Sequence, residues 1–374
     1  MKVKRIGVIT LYDLNNFGNR LQNHAIIQCF SILGVKAESV IILRHNRFAS
    51  FKDRIKAFVS YATKEKRFYL FWKFTQKFTN PRFFYCKKTV VNEKILGRYD
   101  AFSTGSDQVW NSKYLQKETR DLVLKERLLA FVPGEKRMSF AASFSLQEIP
   151  SEDNKIFEKE LKKFPMLLVR EEQGANILKN LNEEELKEKV SVILDPTLML
   201  PESYWRSISS QDFYGNEDYI LEIFLCSPSK SARQASEFLQ KKLHCKKIDL
   251  IGKNEISEKT GPLQFVELIS KAKYICTDSF HAVAFSVIFR KQFLVFERSD
   301  HSQKRDSRFE TLFKKLNISR EVLPDTYSIE TLKQILYQPL DYVQIESLLK
   351  IEREKSWHKI KKALAQTGLG DSNE

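Results

Sequence analysis

Short apolar runs rich in β-branched residues alternate with amphipathic stretches along this chain, and that alternation restricts its fold more than any other feature. Residues 5–11 are such a run, the pattern of a buried strand. A polar, glycine-containing loop follows at 13–19. Residues 20–33 then place Leu21, Ala25, Ile26, Cys29, Phe30 and Leu33 on one helical face, with Gly34 suited to the position just past its end. Residues 37–43 are a second strand, so the opening is a strand–helix–strand unit and predicts a parallel sheet. Strands are also expected at 99–103, 137–142, 166–169 and 190–194. After Pro201 the alternation restarts, with strands at 219–226, 247–251, 274–277 and 293–296 between helices at 230–243, 262–271, 281–289 and 308–316.

Two such series in 374 residues predict an α/β protein of two doubly wound, Rossmann-like domains. The first spans residues 1–200 and carries a basic, aromatic helical insert at about 44–98. The second spans 201–328, and a helical tail covers 329–374. In open parallel sheets, ligands bind beyond the carboxyl ends of the strands. Every polar cluster described below falls at such an end.

Composition removes several classes. The five cysteines are scattered with no CxxC spacing, which predicts free thiols rather than disulfides or a zinc site. Only six histidines are present and none has paired ligand spacing, so no metal is expected. The N-terminal apolar run is too short for a signal peptide, and no stretch is long and apolar enough to span a bilayer, so a cytoplasmic protein is expected. The net charge of +15 is concentrated: residues 44–98 hold fifteen Lys/Arg against Asp53, Glu65 and Glu93, interleaved with Phe, Tyr and Trp. Two readings of this segment stay open. It is a lysine-rich element whose aromatics pack on the domain beneath, or it docks on anionic lipid and makes the protein peripheral on the inner face of the plasma membrane. No motif supports nucleic-acid binding.

Five clusters have the residue types that chemistry needs. The loop with Asn16, Gly18 and Asn19 opens a helix and presents backbone N–H groups and amides to an anion or to sugar hydroxyls; an ordinary capped turn is the alternative. Its pattern is not a GxGxxG nucleotide fingerprint. Gly105, Ser106 and Asp107 follow a strand, where glycine permits close backbone approach and an aspartate serves as general base or as a cap. Arg170 directly follows Val169 at a strand end, suited to a carboxylate or phosphate, or else to pairing with Glu171 or Glu172. His281 lies in the first turn of an otherwise apolar helix after Asp278 and Ser279, as a general acid/base or as a satisfied core histidine. Arg298, Arg305 and Arg308 form a cationic stretch after the last core strand.

Together these strings resemble the polysaccharide pyruvyltransferase family. The resemblance runs through Asn15-Asn16-Phe17-Gly18-Asn19, Gly105-Ser106-Asp107-Gln108-Val109-Trp110-Asn111, Val169-Arg170-Glu171-Glu172-Gln173-Gly174, Leu194-Asp195-Pro196, Thr277-Asp278-Ser279-Phe280-His281 and Ser307-Arg308-Phe309, in family order. It implies an architecture similar to the GT-B glycosyltransferases, phosphoenolpyruvate as co-substrate, no cofactor, and a glycan acceptor, often lipid-linked. Arg170 and His281 would bind the donor. Some members have Arg-Leu-His where this chain has Ser279-Phe280-His281, so another arginine, Arg298, Arg305 or Arg308, would supply that contact. Two alternatives are a nucleotide-sugar glycosyltransferase on the same architecture and a non-catalytic protein of a glycan-assembly complex.

Overall fold

The structure, a computed structural model, describes residues 3–44, 66–181, 183–210, 212–215, 217–250, 252, 254–299 and 307–370. The first sheet contains β1 (Arg5–Ile9), β2 (Lys36–Leu43), β3 (Arg82–Tyr85), β4 (Ala101–Thr104) and β5 (Arg137–Ser139), ordered β3-β2-β1-β4-β5. A parallel bridge between Ala142 and Val169 continues it into β6 (Leu167–Val169) and β7 (Val190–Val192). The second sheet contains β8 (Tyr219–Ile223), β9 (Lys246–Asp249), β10 (Tyr274–Thr277), β11 (Gln292–Phe296) and β12 (Val322–Leu323), ordered β12-β11-β10-β8-β9. All these pairings are parallel. Two parallel sheets joined by helical crossovers are the α/β, Rossmann-like arrangement expected from the alternation.

The helices that matter to the site are α1 (Phe17–Ile32), α2 (Lys66–Phe78), α3 (Glu172–Leu181), α4 (Lys230–Leu243), α5 (Pro262–Lys271), α6 (Phe280–Ile288), α7 (Ser307–Leu316) and α8 (Tyr342–Ala365). α1 starts three residues before the apolar periodicity does, because the Asn16 side chain accepts from Asn19 N and caps it. Its polar first turns (Asn19, Arg20, Gln22, Asn23, His24) are buried too. Both domains cover this helix, so its polar side has partners instead of solvent.

Within the expected helical insert, the described residues 66–98 hold a strand as well as helix. Residues 45–65 lie outside the described residues. Beyond them α2 leads to β3, which pairs with β2 in the register Val40↔Arg82 to Leu43↔Tyr85. β2–α2–β3 is therefore a further crossover unit of the first sheet. Asn80, with φ of 45°, and Pro81 end the helix, and Phe83, Phe84 and Tyr85 favour an extended edge. Phe71 and Phe74 of α2 are buried against the body, while Lys66, Lys73 and Lys77 are exposed.

The main core cluster runs through both domains, joining Ile6, Val8 and Phe30 to Leu221, Ile275 and Phe285. The tail belongs to it through Ile345, Leu349, Ile360 and Leu364 of α8. α8 recrosses to the first domain: Leu194 N donates to Ser356 Oγ (3.1 Å), and Arg353 Nε donates to Leu198 O (2.6 Å). None of the five cysteines is in a disulfide, and Cys29, Cys86 and Cys276 are buried.

Candidate functional site

The carboxyl ends of β4, β6 and β7 face the start of α6 across the gap between the sheets. At Gly105 the chain leaves β4 with φ of 109°, and a Cβ there would lie 2.4 Å from the Phe140 carbonyl oxygen, so only glycine fits. The next two residues are fixed by hydrogen bonds. Ser106 N donates to Gln22 Oε1 (3.1 Å) and Ser106 Oγ to Asp195 Oδ2 (3.3 Å). Asp107 accepts from Asn19 Nδ2 (3.1 Å) and from Gln108 N (2.9 Å).

Arg170 follows β6 with its side chain 1% exposed. Its Nη1 donates to Asp195 Oδ2 at 2.7 Å. Its Nη2 is 3.8 Å from Asp107 Oδ1 and its Nε 3.8 Å from Glu171 Oε2, both beyond hydrogen-bond reach. Nε and Nη2 are thus buried donors without a hydrogen-bond partner. Glu171 is held in place by Oε1, which accepts from Ser143 Oγ (2.8 Å), Phe144 N (3.0 Å) and Ser145 N (3.3 Å).

The second domain contributes His281. Its Nε2 is buried, 3.7 Å from Asp195 Oδ2, and has no hydrogen-bond partner. Its ring rests on Gly18 of the first domain: a Cβ at that position would lie 2.0 Å from His281 Nδ1. The neighbouring Phe280 ring carries two guanidinium groups, Arg170 at 4.8 Å and Arg308 at 5.6 Å from its centroid.

Electrostatics separates the three carboxyl groups. Burial disfavours charge on Asp195, but the facing His281 imidazole, Arg170 and the Thr197 hydrogen bonds outweigh it and hold the carboxyl far below the usual carboxylate range. Asp107 is also held below that range: His281, Arg170, Asn19 and Arg308 together outweigh its burial. Glu171 goes the other way, because burial exceeds the pull of Arg170, Ser143 and Arg308 and raises it. The result is two fixed carboxylates, a third carboxyl biased towards neutrality, and unpartnered N–H groups beside them. Such a cleft can hold an anion and move a proton.

The predicted residues are distributed unequally. Asp107, Arg170, His281, Ser106, Gly105, Gly18, Asn19 and Arg308 converge here. Asn16 is the helix cap. Ser279, buried, opens α6 and donates its backbone N–H to Thr277 Oγ1 (2.9 Å). Arg298 is half-buried and acts electrostatically on Asp278, whose carboxyl accepts from Leu225 N (2.7 Å) and Cys226 N (3.3 Å). Arg305 lies outside the described residues. Of the two described arginines considered in place of one at 279, Arg308 is the one that reaches the Phe280 platform. Asp195 is the residue that sequence reasoning missed, because Asp195-Pro196 reads only as the close of a strand. It caps the turn that follows, through Thr197 N (3.0 Å), and its second oxygen also serves Arg170 and Ser106.

Two Rossmann-like domains enclosing a polar cleft are the architecture of GT-B-like enzymes. Among solved structures the chain is similar to UDP-N-acetylglucosamine 2-epimerase from Rickettsia bellii (11% identity, TM-score 0.52, covering 96% of each chain). It is also similar to the S. aureus MnaA–UDP co-structure (14% identity, TM-score 0.50, covering 99% of this chain and 93% of that one). These likenesses are of fold. Comparison with curated proteins gives no match. The sequence matches the polysaccharide pyruvyl transferase family over residues 16–301, and the chain belongs to that family.

Proposed function

We propose that this protein transfers the pyruvyl group of phosphoenolpyruvate to a sugar of a polysaccharide precursor, forming a ketal. The observation that carries the reading is the set of buried, unpartnered donors in one cleft: Arg170 Nε and Nη2 from the first domain, and His281 Nε2 from the second. Phosphoenolpyruvate has a carboxylate and a phosphate, and guanidinium donors suit both. Arg170 binds one anionic group and Arg308, across the Phe280 ring, supports the other.

In the reaction, His281 gives a proton to the methylene carbon, making it a methyl group. C2 becomes electrophilic, and a sugar hydroxyl forms a bond to it. Asp107, charged at neutral pH, accepts a hydrogen bond from that hydroxyl and takes its proton as the C–O bond forms. The C2–O bond to phosphate breaks, phosphate leaves, and a second hydroxyl closes the ketal, its proton returning to the His281 imidazole. Fixed positive charge at the departing phosphate contributes most, because charge accumulates there. Asp195 orients Arg170 and faces His281.

The acceptor in this reading is lipid-linked. The exposed lysines Lys66, Lys73 and Lys77 of α2 then hold the enzyme on an anionic membrane surface, each adding about 1 kcal/mol. No helix among the described residues is long and apolar enough to cross a membrane.

Isothermal titration with phosphoenolpyruvate, with uridine diphosphate as competitor, tests the donor. Phosphoenolpyruvate binding that is lost in His281→Gln supports pyruvyl transfer. Binding of uridine diphosphate in place of phosphoenolpyruvate overturns it.

A further inference from the structure

Arg67 lies in the basic segment, distant in sequence from every residue of the site, and yet it touches both domains at the site's edge. Its guanidinium is 4.6 Å from the centroid of Phe17, the first residue of α1. That ring stacks in turn on Phe265 of α5 in the second domain (4.6 Å, 16° between planes). From this position Arg67 Nη1 donates to Leu250 O (3.2 Å) and to Ser257 Oγ (2.9 Å), both in the second domain. Nη2 donates to Asn15 O (3.4 Å) in the loop of the first domain. One planar group thus grips the 13–19 loop and the opposite wall together, as a guanidinium can and an ammonium cannot.

That loop leads straight into the first turn of α1, which has two direct contacts with the site. Asn19 Nδ2 donates to Asp107, and Gly18 forms the surface on which the His281 ring rests. Asn15 N donates to Asp13 Oδ1 (2.7 Å) and Asp13 N to Asn19 Oδ1 (3.1 Å), which ties the loop to that turn. The apolar core that both domains share lies beneath this edge, and the hydrogen bonds of Arg67 hold the edge itself. A tie at this point therefore sets how closely His281 approaches Asp195.

We propose that Arg67 is a positioning residue: it latches the loop that leads into the first turn of α1, which carries Gly18 and Asn19, onto the second domain and thereby fixes the distance between His281 and the carboxylates of the first. The transfer assay rests on the reading of the site as a pyruvyl transferase; the positioning claim has a separate readout. The experiment follows the His281 imidazole signals by NMR in the full-length protein, assigned with His281→Gln. Arg67→Met keeps the aliphatic stem on Phe17 and removes the hydrogen bonds. Ser257→Ala removes one of them and leaves the arginine in place, which covers the case in which Arg67→Met fails to fold. Shifted or broadened His281 signals in both variants, with the melting temperature within a few degrees of wild type, are expected, along with a fall in kcat of tenfold or more in Arg67→Met. Arg67→Lys should restore little of it. Unchanged His281 signals in folded Arg67→Met, or in Ser257→Ala where Arg67→Met does not fold, overturn the proposal. If the signals shift but wild-type protein transfers no pyruvate, the positioning role stands and the pyruvyl reading is the one that fails.

Discussion

At the scale of single residues, the site is limited by space as much as by charge. Gly18 carries no chemistry, yet a methyl group there would lie 2.0 Å from His281 Nδ1. Gly18→Ala should therefore push the imidazole off Asp195. We expect transfer to fall at least tenfold while α1 stays folded, read by kcat and by circular dichroism. Arg170 has a double role. Replacing it with alanine removes the anion donors and also strands Asp195 as an unpaired buried charge, so Arg170→Ala should lose about 3–5 kcal/mol of stability in urea unfolding. His281→Gln is the cleaner test of chemistry, since His281 Nε2 has no hydrogen bond to lose. His24 is a second buried imidazole, with a structural role. Phe78 O can only accept, so Nδ1 carries the proton (2.7 Å) and Nε2 accepts from Tyr204 OH (2.8 Å), which is the neutral form. Burial pushes its pKa down to about 4, against a partial rise from the Phe78 carbonyl. Above about pH 6.5 both the folded and the unfolded chain have it neutral. As the pH falls from there towards 4, only the unfolded chain takes the proton, so stability drops, by up to about 3 kcal/mol in all. The urea midpoint should fall more steeply between pH 6.5 and 4.5 in wild type than in His24→Gln.

At the scale of elements, what could be read in the sequence depended on how each element meets water. A helix with one solvent face, such as α4, shows its period and is legible to the residue; α5 has the expected bounds although none of its residues is exposed. α1 was not legible at its start, because its polar residues turn into the site and the second domain and look, in sequence, like a loop. β3 was hidden among lysines and phenylalanines: an edge strand needs only one buried face, and Phe83 and Tyr85 remain 43% and 47% exposed. The site divides along the same line. Asp107, Arg170 and His281 stand at strand or helix ends, where polar residues interrupt apolar runs. Asp195 did not stand out because it reads only as the close of a strand, and its pairing with Arg170 is visible only once β6 and β7 lie side by side. α2 illustrates both outcomes at once. Phe71 and Phe74 pack inward, so Phe71→Ala should cost about 3–5 kcal/mol. The lysines of the same helix stay in water. Charge reversal at Lys73 and Lys77 should leave urea stability within about 0.5 kcal/mol and reduce co-sedimentation with anionic vesicles. Unchanged sedimentation would remove the membrane role.

At the scale of the molecule, two sheets do not make two independent folding units here. The largest apolar cluster passes from the first sheet through α1, α5 and α6 into the second, and α8 returns to close it with Ile345, Leu349, Ile360 and Leu364. Arg353 caps the carbonyls of Leu198 and Leu200 where the chain passes between domains, and Lys4 Nζ donates to Leu369 O (3.1 Å) near the other end. A core shared in this way couples the stability of both halves, so calorimetry should show one transition with matching calorimetric and van't Hoff enthalpies. Stopping the chain at Asp341 removes α8 and uncovers Leu194, Leu198 and the apolar side of α7. That variant should give either two separated transitions or no cooperative melt. Ligand reports on the same coupling. Because Arg170 and His281 come from different domains, phosphoenolpyruvate at a hundred times its dissociation constant should stabilise the whole chain by about 2.7 kcal/mol, as one shifted transition. A shift confined to part of a split melt would mean that the donor binds one domain alone, and the site would then have to be redrawn without His281.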